Sequence, residues 1–341
     1  MTDEWIHSHY KLGFKEHVEK LTPSQKAFPH LLHEWLLKPE HQLVLVAGGP
    51  GSGKTYTVTQ CLNHVDLSQL RMAYTARVAY KINGRTIHSA MQLDWREGSV
   101  LEGLFRELEN ESDPQKCIDK SQILLNEMKC TRNPEIVVID EVGMVAHWLI
   151  YWIIRYFFQK SIPTLFIMMG DPNQLRPVKS EHNVFSVNLM DTKRINLLES
   201  ARFTPSYDVI VKCLRQFVDM NDVSGMLSFI TEHYPVVDHI NSDILRKCTR
   251  AMAHKNATIE TYNNFYLKYM VEGPRHRLWN KKKDKYVDVK PGCRIFVTQN
   301  GVSIALNGTP LIFVEYDSER DLVICRREES NDGTVTVSRN V

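Results

Sequence analysis

The sequence lacks a long uninterrupted hydrophobic run, a paired cysteine motif and a marked excess of either charge. Its seven cysteines are scattered, so neither a disulfide framework nor a zinc site is expected, and a reducing compartment fits better. The most apolar stretch, Val142–Phe158, contains His147 and Arg155 and predicts a buried helix rather than a membrane span. Met1–Tyr10 is polar, unlike a signal peptide, so an intracellular protein without a membrane partner is predicted.

The near balance of charge limits what composition says about partners. Lys and Arg number 42 and Asp and Glu number 40, which gives a net charge of +2. A nucleic-acid binder with this composition must therefore concentrate its positive residues in a local groove. A length of 341 residues suits two or three lobes. We expect a first lobe over residues 1–204, with a charged, helical insertion at about 90–134, and a second over 205–341.

Three short apolar runs indicate strands at the centre of a parallel sheet. They are Leu43–Ala47, Ile136–Ile139 and Leu165–Met169, and none alternates with polar residues, as expected for strands covered on both faces. Each run ends in a polar or glycine-rich cluster. Ligands of open α/β sheets bind at the carboxyl ends of the strands, so the three clusters are predicted to meet in one crevice. The fold class is therefore α/β, with helices on both faces of the sheet.

The first cluster matches the P-loop pattern GxxxxGK[ST]. Glycines allow backbone N–H groups to close around phosphate oxygens, while Lys54 would contact the β- and γ-phosphates and Thr55 would bind Mg²⁺. The following helix directs its positive end at the same anion. ATP and Mg²⁺ are the expected cofactors. The P-loop residues predicted to bind them are Gly49, Pro50, Gly51, Ser52, Gly53, Lys54 and Thr55.

The second cluster places two acids, Asp140 and Glu141, directly after an apolar strand. This is the Walker B arrangement, in which Asp140 would hold Mg²⁺ and Glu141 would polarise the attacking water. An Asp-Glu pair alone is also common in solvated loops and at helix N-termini. The preceding P-loop favours the catalytic interpretation.

The third cluster, Gly170–Val178, resembles motif III of superfamily 1 helicases. The resemblance implies that Gln174 senses the γ-phosphate and couples it to the DNA site. Leu197–Phe203 resembles motif IV, which makes Arg202 an arginine finger, although a surface arginine closing a helix is the alternative. Gln25 occupies the position of the Q motif, whose amide reads adenine. In the sequence Thr22-Pro23-Ser24-Gln25 it could equally complete a capping box, with a helix starting at Pro23.

Further segments resemble the RecD and Dda branch of these helicases, which implies RecA-like lobes, 5′-to-3′ movement and duplex unwinding. Ala73–Ala79 resembles motif Ia and Gly84–Ser89 the Thr-Ile-His-Ser element, which assigns single-stranded DNA contacts to Thr75, Arg77 and His88. A structural role for His88 stays open. Residues 251–264 resemble the start of a second RecA-like lobe, with His254 as a further DNA contact, followed by a β-rich, barrel-like insertion. The insertion at 90–134 lies where the family places its strand-separating pin.

The resemblance also implies partners: single-stranded DNA, a duplex junction, and replication proteins such as a primase, a polymerase or a single-strand binding protein. Likeness to the helicase subunit of the herpesvirus helicase–primase suggests a viral or phage source. A viral protein would then act in the nucleus or the cytoplasm of the host.

Two later family motifs are absent before Val341. A truncated helicase with weak hydrolysis and poor unwinding is therefore expected. A non-catalytic nucleotide-binding replication scaffold and an RNA helicase are the alternatives.

Overall fold

The protein divides into two compact units, Met1–Leu227 and Ser228–Val341, each of which is described by itself. The structure is a computed structural model. The residues that it describes are 10–94, 96, 98–177, 180, 182–200, 202–235, 242–247, 256–269, 271–280, 285–296, 310–327 and 334–338.

The first unit is built on a six-stranded parallel sheet with the strand order β3-β2-β4-β5-β1-β6. Its strands are β1 (Gln42–Gly48), β2 (Gln69–Ala73), β3 (Arg85–Thr86), β4 (Ile136–Asp140), β5 (Leu165–Gly170) and β6 (Thr192–Leu197). The three apolar runs predicted as central strands are β1, β4 and β5, and they are neighbours in the sheet. Their carboxyl ends therefore meet at one edge, as predicted.

Both faces of the sheet are buried, which explains the unbroken apolar runs. Along β1, Val44 and Val46 point to one face, while Leu43 and Leu45 point to the other. The first face is covered by α1 (Phe14–Glu19), α2 (Ala27–Leu37) and α3 (Lys54–Asn63). Residues of α5 (Ile87–Met91), α6 (Val100–Leu108), α7 (Pro114–Lys120), α8 (Leu124–Glu127) and α9 (His147–Phe158) lie in the core on the opposite face. A short helix, α4 (Ala76–Lys81), packs beside β2 and β3.

The predicted buried helix in the apolar stretch is α9. Residues such as Trp148, Leu149 and Ile153 are almost completely buried. None of the helices within the described ranges combines the length and the apolar character needed to cross a bilayer. The insertion at 90–134 is helical as expected, but its apolar side chains join the core beneath α9, where Trp152 Nε1 donates to the Ile118 carbonyl at 3.1 Å.

The prediction of a helix starting at Pro23 is wrong, since α2 begins at Ala27 after a stretch of turns. One half of the expected capping box is nevertheless present, because Gln25 Oε1 accepts a hydrogen bond from the backbone N–H of Thr22 at 3.0 Å. The side chains of Thr22 and Ser24 instead bond Glu199, close to the end of β6. Side-chain contacts with a distant segment therefore replace the predicted first turn.

The boundary between the units lies later than the predicted position at 204/205. Residues 205–227 belong to the first unit and contain α10 (Pro205–Asp219) and the start of α11 (Val223–His233). The physical reason is a pair of side-chain contacts between α10 and the turn after β5, Arg215 with Asp171 and Asp219 with Asn173.

The second unit contains antiparallel strands, in line with the β-rich prediction. A hairpin joins β7 (His276–Asn280) to β8 (Lys285–Val289). A four-stranded sheet has the order β12-β11-β10-β9. Its strands are β9 (Arg294–Phe296), β10 (Pro310–Asp317), β11 (Leu322–Arg327) and β12 (Thr334–Ser338), and the unit also holds α12 (Ser242–Lys247) and α13 (Asn256–Tyr269). Within the part of this unit that the structure describes, no parallel sheet is present, and the RecA-like start predicted at about 251 lies outside the described residues up to 255.

Candidate nucleotide site

The P-loop connects the end of β1 to the start of α3. Gly51 and Gly53 both have a φ of +79°, a backbone conformation that residues with a Cβ rarely adopt. This conformation turns the chain back, so that Lys54 becomes the first residue of α3. Its ammonium group donates to the carbonyls of Gly48 at 2.8 Å and Gly49 at 3.1 Å. The lysine is therefore held within the loop that would surround a phosphate.

The Thr55 hydroxyl and the Asp140 carboxylate meet across the sheet edge. Thr55 Oγ1 donates to Asp140 Oδ2 at 2.8 Å, and the backbone N–H of Glu141 donates to Asp140 Oδ1, also at 2.8 Å. A hydroxyl beside a carboxylate offers the hard oxygen ligands that Mg²⁺ prefers. The residues present therefore fit a magnesium ion held by Thr55 and Asp140.

Burial controls the electrostatics of the two acids. It raises the pKa of Asp140, against the opposing effects of the Thr55 hydrogen bond and the Lys54 charge. Burial also raises the pKa of Glu141, and the neighbouring Asp140 charge acts in the same direction. A carboxylate with a raised pKa is a stronger base, which suits the role predicted for Glu141. Glu141 also has a φ of +53°, a conformation that is uncommon outside glycine and often found at functional sites.

The Lys54 ammonium is also largely buried. Burial lowers its pKa, and the nearby carboxylates, first Asp171 and then Glu141, oppose this by favouring the charged form. A buried cation among carboxylates is balanced in charge without a ligand. The phosphate groups of a nucleotide would add negative charge to a site that already holds several acids. A bound Mg²⁺ ion would offset this added charge.

The second residue of the third cluster, Asp171, comes directly after β5. Its side chain is 1% exposed, and both carboxylate oxygens accept hydrogen bonds from Arg215 Nη1, at 2.9 and 2.7 Å. Asp171 Oδ1 also accepts from the backbone N–H of Asn173 at 3.0 Å. The Asp171 carbonyl accepts from the backbone N–H of Gln174 at 3.2 Å, which closes the turn. The Gln174 side chain itself is exposed at the sheet edge.

Gln25 lies against the P-loop. It is 3% exposed, and its Nε2 donates to the Ser52 carbonyl at 2.9 Å. A Cβ on Gly53 would lie 2.5 Å from this nitrogen, so the amide fits only because residue 53 is a glycine. The structure therefore gives Gln25 a contact that sequence reasoning did not consider, namely support of the phosphate-binding loop.

Arg202 follows β6 and lies beside the tip of the P-loop. A Cβ on Gly51 would lie 3.0 Å from Arg202 Cβ and 2.8 Å from Ser200 Oγ. The Arg202 side chain is exposed, while the Ser200 hydroxyl is buried and has no hydrogen-bond partner among the described residues. A cavity of about 290 Å³ adjoins this segment, and its lining includes Gly49, Pro50, Ser52, Ser200 and Arg215.

The residues predicted to contact nucleic acid follow β2 and β3, the two strands that extend the sheet beyond β4. Thr75 is the N-cap residue of α4 after β2, and Arg77 is exposed on that helix. His88 follows β3 in α5, with its ring 6.0 Å from the ring of Tyr74. Burial lowers the pKa of His88, which favours a neutral imidazole. His254 lies outside the described residues.

Two residues that bond to the site were not predicted. Arg215 comes from a helix 44 residues after its partner Asp171, and Glu199 bonds Thr22 and Ser24 from about 175 residues away. No local pattern marks Arg215, and the motif IV resemblance of Leu197–Phe203 did not assign a role to Glu199. Asp140 was identified because it is an acid at the end of a buried strand. Asp171 follows a buried strand in the same way, so the same signal could have identified Asp171.

The parallel sheet, the P-loop and the acids at the strand ends define the α/β P-loop NTPase fold. Within the described residues, no group of three or more His, Cys, Asp or Glu side chains is arranged to hold a metal ion, so a magnesium site would rest on Thr55, Asp140 and the phosphates.

Comparisons with known proteins agree with this class. A family model described as an AAA domain matches residues 37–180. A structure of Bacteroides Pif1 bound to single-stranded DNA superimposes with a TM-score of 0.62 at 18% identity, over 93% of this chain and 73% of that one. Pif1 helicase from Candida albicans gives 0.60 at 16% identity, over 93% and 78%.

A structure of two Pif1 helicases on forked duplex DNA gives a TM-score of 0.61 at 18% identity, over 93% of this chain and 75% of that one. At these identities the likeness establishes the fold, which this chain shares with Pif1 helicases. No curated protein sequence matches the chain at a significant level.

Proposed function

We propose that this protein is a superfamily 1 helicase that couples ATP hydrolysis to movement on single-stranded DNA and to duplex unwinding. The proposal rests on one observation: the carboxyl ends of three strands meet at one edge of the parallel sheet. Lys54 and Thr55 follow β1, Asp140 ends β4, and Asp171 follows β5. The similar structures support DNA as the substrate class, since they are Pif1 helicases, one bound to single-stranded DNA and another concerned with unwinding at forked duplex DNA.

The chain's own residues have distinct roles in the proposed hydrolysis. Lys54 would exchange its carbonyl partners in the P-loop for phosphate oxygens, while Thr55 and Asp140 would hold Mg²⁺, which neutralises charge on the phosphates. Glu141 would accept a proton from the attacking water. Arg202 would supply fixed positive charge as the γ-phosphate leaves, and Gln174 would detect that phosphate.

Nucleic acid would bind on the β2 and β3 side of the phosphate site. Thr75 and Arg77 would contact the backbone without sequence preference, and His88 would act as a hydrogen-bonding rather than a charged group. Contacts with phosphates make affinity depend steeply on salt. Movement from 5′ to 3′, strand separation by the 90–134 segment and contacts with replication proteins belong to the same proposal. A viral or phage source stays a prediction.

The test compares ATP turnover by the full chain and by Lys54→Ala, with and without single-stranded DNA. Lys38→Ala is the matched control, because Lys38 is an exposed lysine at the end of α2. We expect turnover that DNA stimulates in the wild type and the control, and its loss in Lys54→Ala. Turnover that survives Lys54→Ala would remove the P-loop from the mechanism.

Two further measurements separate the alternatives. Stimulation by single-stranded RNA in place of DNA would indicate an RNA helicase. Tight nucleotide binding without turnover on either polymer would indicate a nucleotide-binding scaffold. Duplexes with a single 5′ or 3′ tail then report the direction of movement.

A further inference from the structure

The ion pair between Arg215 and Asp171 differs from the other ion pairs among the described residues. Its carboxylate is 1% exposed, whereas the carboxylate of the Lys212–Asp208 pair on the same helix is 21% exposed. Exposed pairs contribute little to stability, but removing one partner of a buried pair leaves an uncompensated charge. Arg215 therefore has a defined structural partner rather than a solvated position.

Asp171 connects Arg215 to the turn that contains Gln174, because its carboxylate bonds both. The oxygen that accepts from Arg215 at 2.9 Å also accepts the backbone N–H of Asn173 at 3.0 Å. One helical turn after Arg215, Asp219 Oδ1 accepts from Asn173 Nδ2 at 2.6 Å. Residues four apart lie on the same face of a helix, so one face of α10 holds this turn at two points.

The same guanidinium also lies against the P-loop. A Cβ on Gly49 would be 3.4 Å from Arg215 Nη1, so the guanidinium lies beside this residue of the loop. Lys54 bonds the carbonyl of the same residue, Gly49, at 3.1 Å. One side chain therefore spans the phosphate-binding loop and the turn after β5.

We propose that Arg215 is a positioning residue that fixes Gln174 relative to the P-loop, so that Gln174 can detect the γ-phosphate. The inference rests on the proposed function. Arg215 acts through Asp171 and the turn after β5. It therefore affects the affinity for a nucleotide whose γ-phosphate is being transferred. ADP, which lacks that group, should bind almost independently of Arg215. Small displacements of a positioned group are known to reduce catalysis strongly.

The experiment measures the affinity of the full chain for Mg-ADP and for Mg-ADP with aluminium fluoride, which mimics the transferring phosphate. The variants are Arg215→Lys, which keeps the charge, and Arg215→Gln combined with Asp171→Asn, which removes both charges and leaves no buried ion. Gln216→Ala is the matched control, since Gln216 is exposed on the same helix next to Arg215 and does not line the cavity beside the P-loop. Circular dichroism and the unfolding temperature establish that each variant is folded.

We expect ADP affinity to stay within about threefold in every variant, and affinity for ADP with aluminium fluoride to fall by roughly 10- to 100-fold in the double variant. Arg215→Lys should retain part of that affinity, and kcat for ATP should fall in the same order. Gln216→Ala should match the wild type. If Arg215→Lys does not fold, the double variant decides alone.

Unchanged affinity for ADP with aluminium fluoride in the folded double variant would overturn the inference. Equal loss of both ligands would also overturn it, because Arg215 would then support the whole loop rather than Gln174. A wild type that binds neither ligand would defeat the proposed function together with this inference. A wild type that binds both and is insensitive to Arg215 defeats this inference alone.

Discussion

The Thr55 hydroxyl and the Asp140 carboxylate are joined by a hydrogen bond of 2.8 Å, although Thr55 follows β1, Asp140 ends β4, and β5 separates these two strands in the sheet. The two proposed magnesium ligands thus hold each other in place before a metal binds. The arrangement has a cost, because a buried carboxylate without a metal is poorly solvated, and burial raises its pKa.

Asp140→Asn should therefore lose magnesium-dependent nucleotide affinity without losing stability. The amide can accept from the Glu141 N–H and donate to Thr55, so both hydrogen bonds survive. The folded pKa of Asp140 lies above its unfolded value, so the penalty for the charged form is present at neutral pH. This penalty becomes smaller as the pH falls below the pKa of Asp140 in the folded state, and it disappears below the pKa of Asp140 in the unfolded state. We expect the variant to unfold at a temperature equal to or above that of the wild type at pH 7.

The difference in unfolding temperature between Asp140→Asn and the wild type should shrink as the pH is lowered toward the raised pKa. Thermal unfolding of both proteins from about pH 7 to about pH 5, without nucleotide or magnesium, measures it. A variant markedly less stable than the wild type at pH 7 would contradict a net unfavourable burial of the charge.

Gly53→Ala should weaken both the fold and nucleotide binding. A Cβ there would lie 2.5 Å from Gln25 Nε2, and the φ of +79° disfavours any side chain. We expect a loss of roughly 1–3 kcal/mol in the free energy of unfolding. The matched control is Gly103→Ala, since Gly103 is exposed in α6 with no atom within 4 Å of the new Cβ.

Gly103→Ala should raise the free energy of unfolding by up to about 1 kcal/mol, because alanine favours a helix interior. Denaturant titration of both variants gives the two values. Equal effects of the two substitutions would show that the P-loop has no special conformational demand.

Gln25→Ala separates support of the P-loop from recognition of the base. Because Gln25 Nε2 already donates to Ser52, we expect affinity for ADP and GDP to fall by a similar factor, on the order of 10-fold for a lost buried hydrogen bond. Titration with both diphosphates measures the ratio. A loss confined to ADP would instead assign the amide to adenine.

Arg202→Gln should reduce kcat by roughly 10³- to 10⁵-fold while leaving ADP affinity nearly unchanged, as expected for charge needed only in phosphoryl transfer. The side chain is exposed, so the unfolding temperature should not change. Arg106→Gln, at an exposed arginine on α6, is the control in the same ATPase assay. An Arg202→Gln variant with wild-type turnover would make this residue a surface arginine.

Ser200→Ala tests a buried hydroxyl beside the P-loop. Since Ser200 Oγ has no partner among the described residues, its removal should not lower the unfolding temperature. We expect ADP affinity to fall by about threefold to 10-fold, because a phosphate oxygen would accept this hydrogen bond. Calorimetric titration with ADP tests it, and an unchanged affinity would place the hydroxyl outside the nucleotide site.

The central strands were predictable from the sequence, because burial on both faces leaves only apolar residues, as in Ile136–Ile139 and Leu165–Met169. The start of α2 was not, since the capping signal at Thr22 and Gln25 competes with contacts to Glu199 and Ser52. Local patterns carry no information about partners so distant in sequence.

The end of the first lobe was misplaced for a related reason. The sequence around Pro205 indicates the start of a new helix, and a helix start is a natural position for a boundary. Only the folded chain shows that α10 belongs to the preceding unit, through Asp171 and Asn173. The roles of Gln174 and Arg202 stay predictions.

The placement of α10 matters to anyone who wishes to dissect the protein. A fragment that stops at residue 204 would lose the guanidinium of Arg215 and leave the Asp171 carboxylate without its ion-pair partner. Such a fragment would be prone to unfold, and its failure to bind nucleotide would say nothing about the P-loop. The nucleotide-binding half is best expressed with α10 retained.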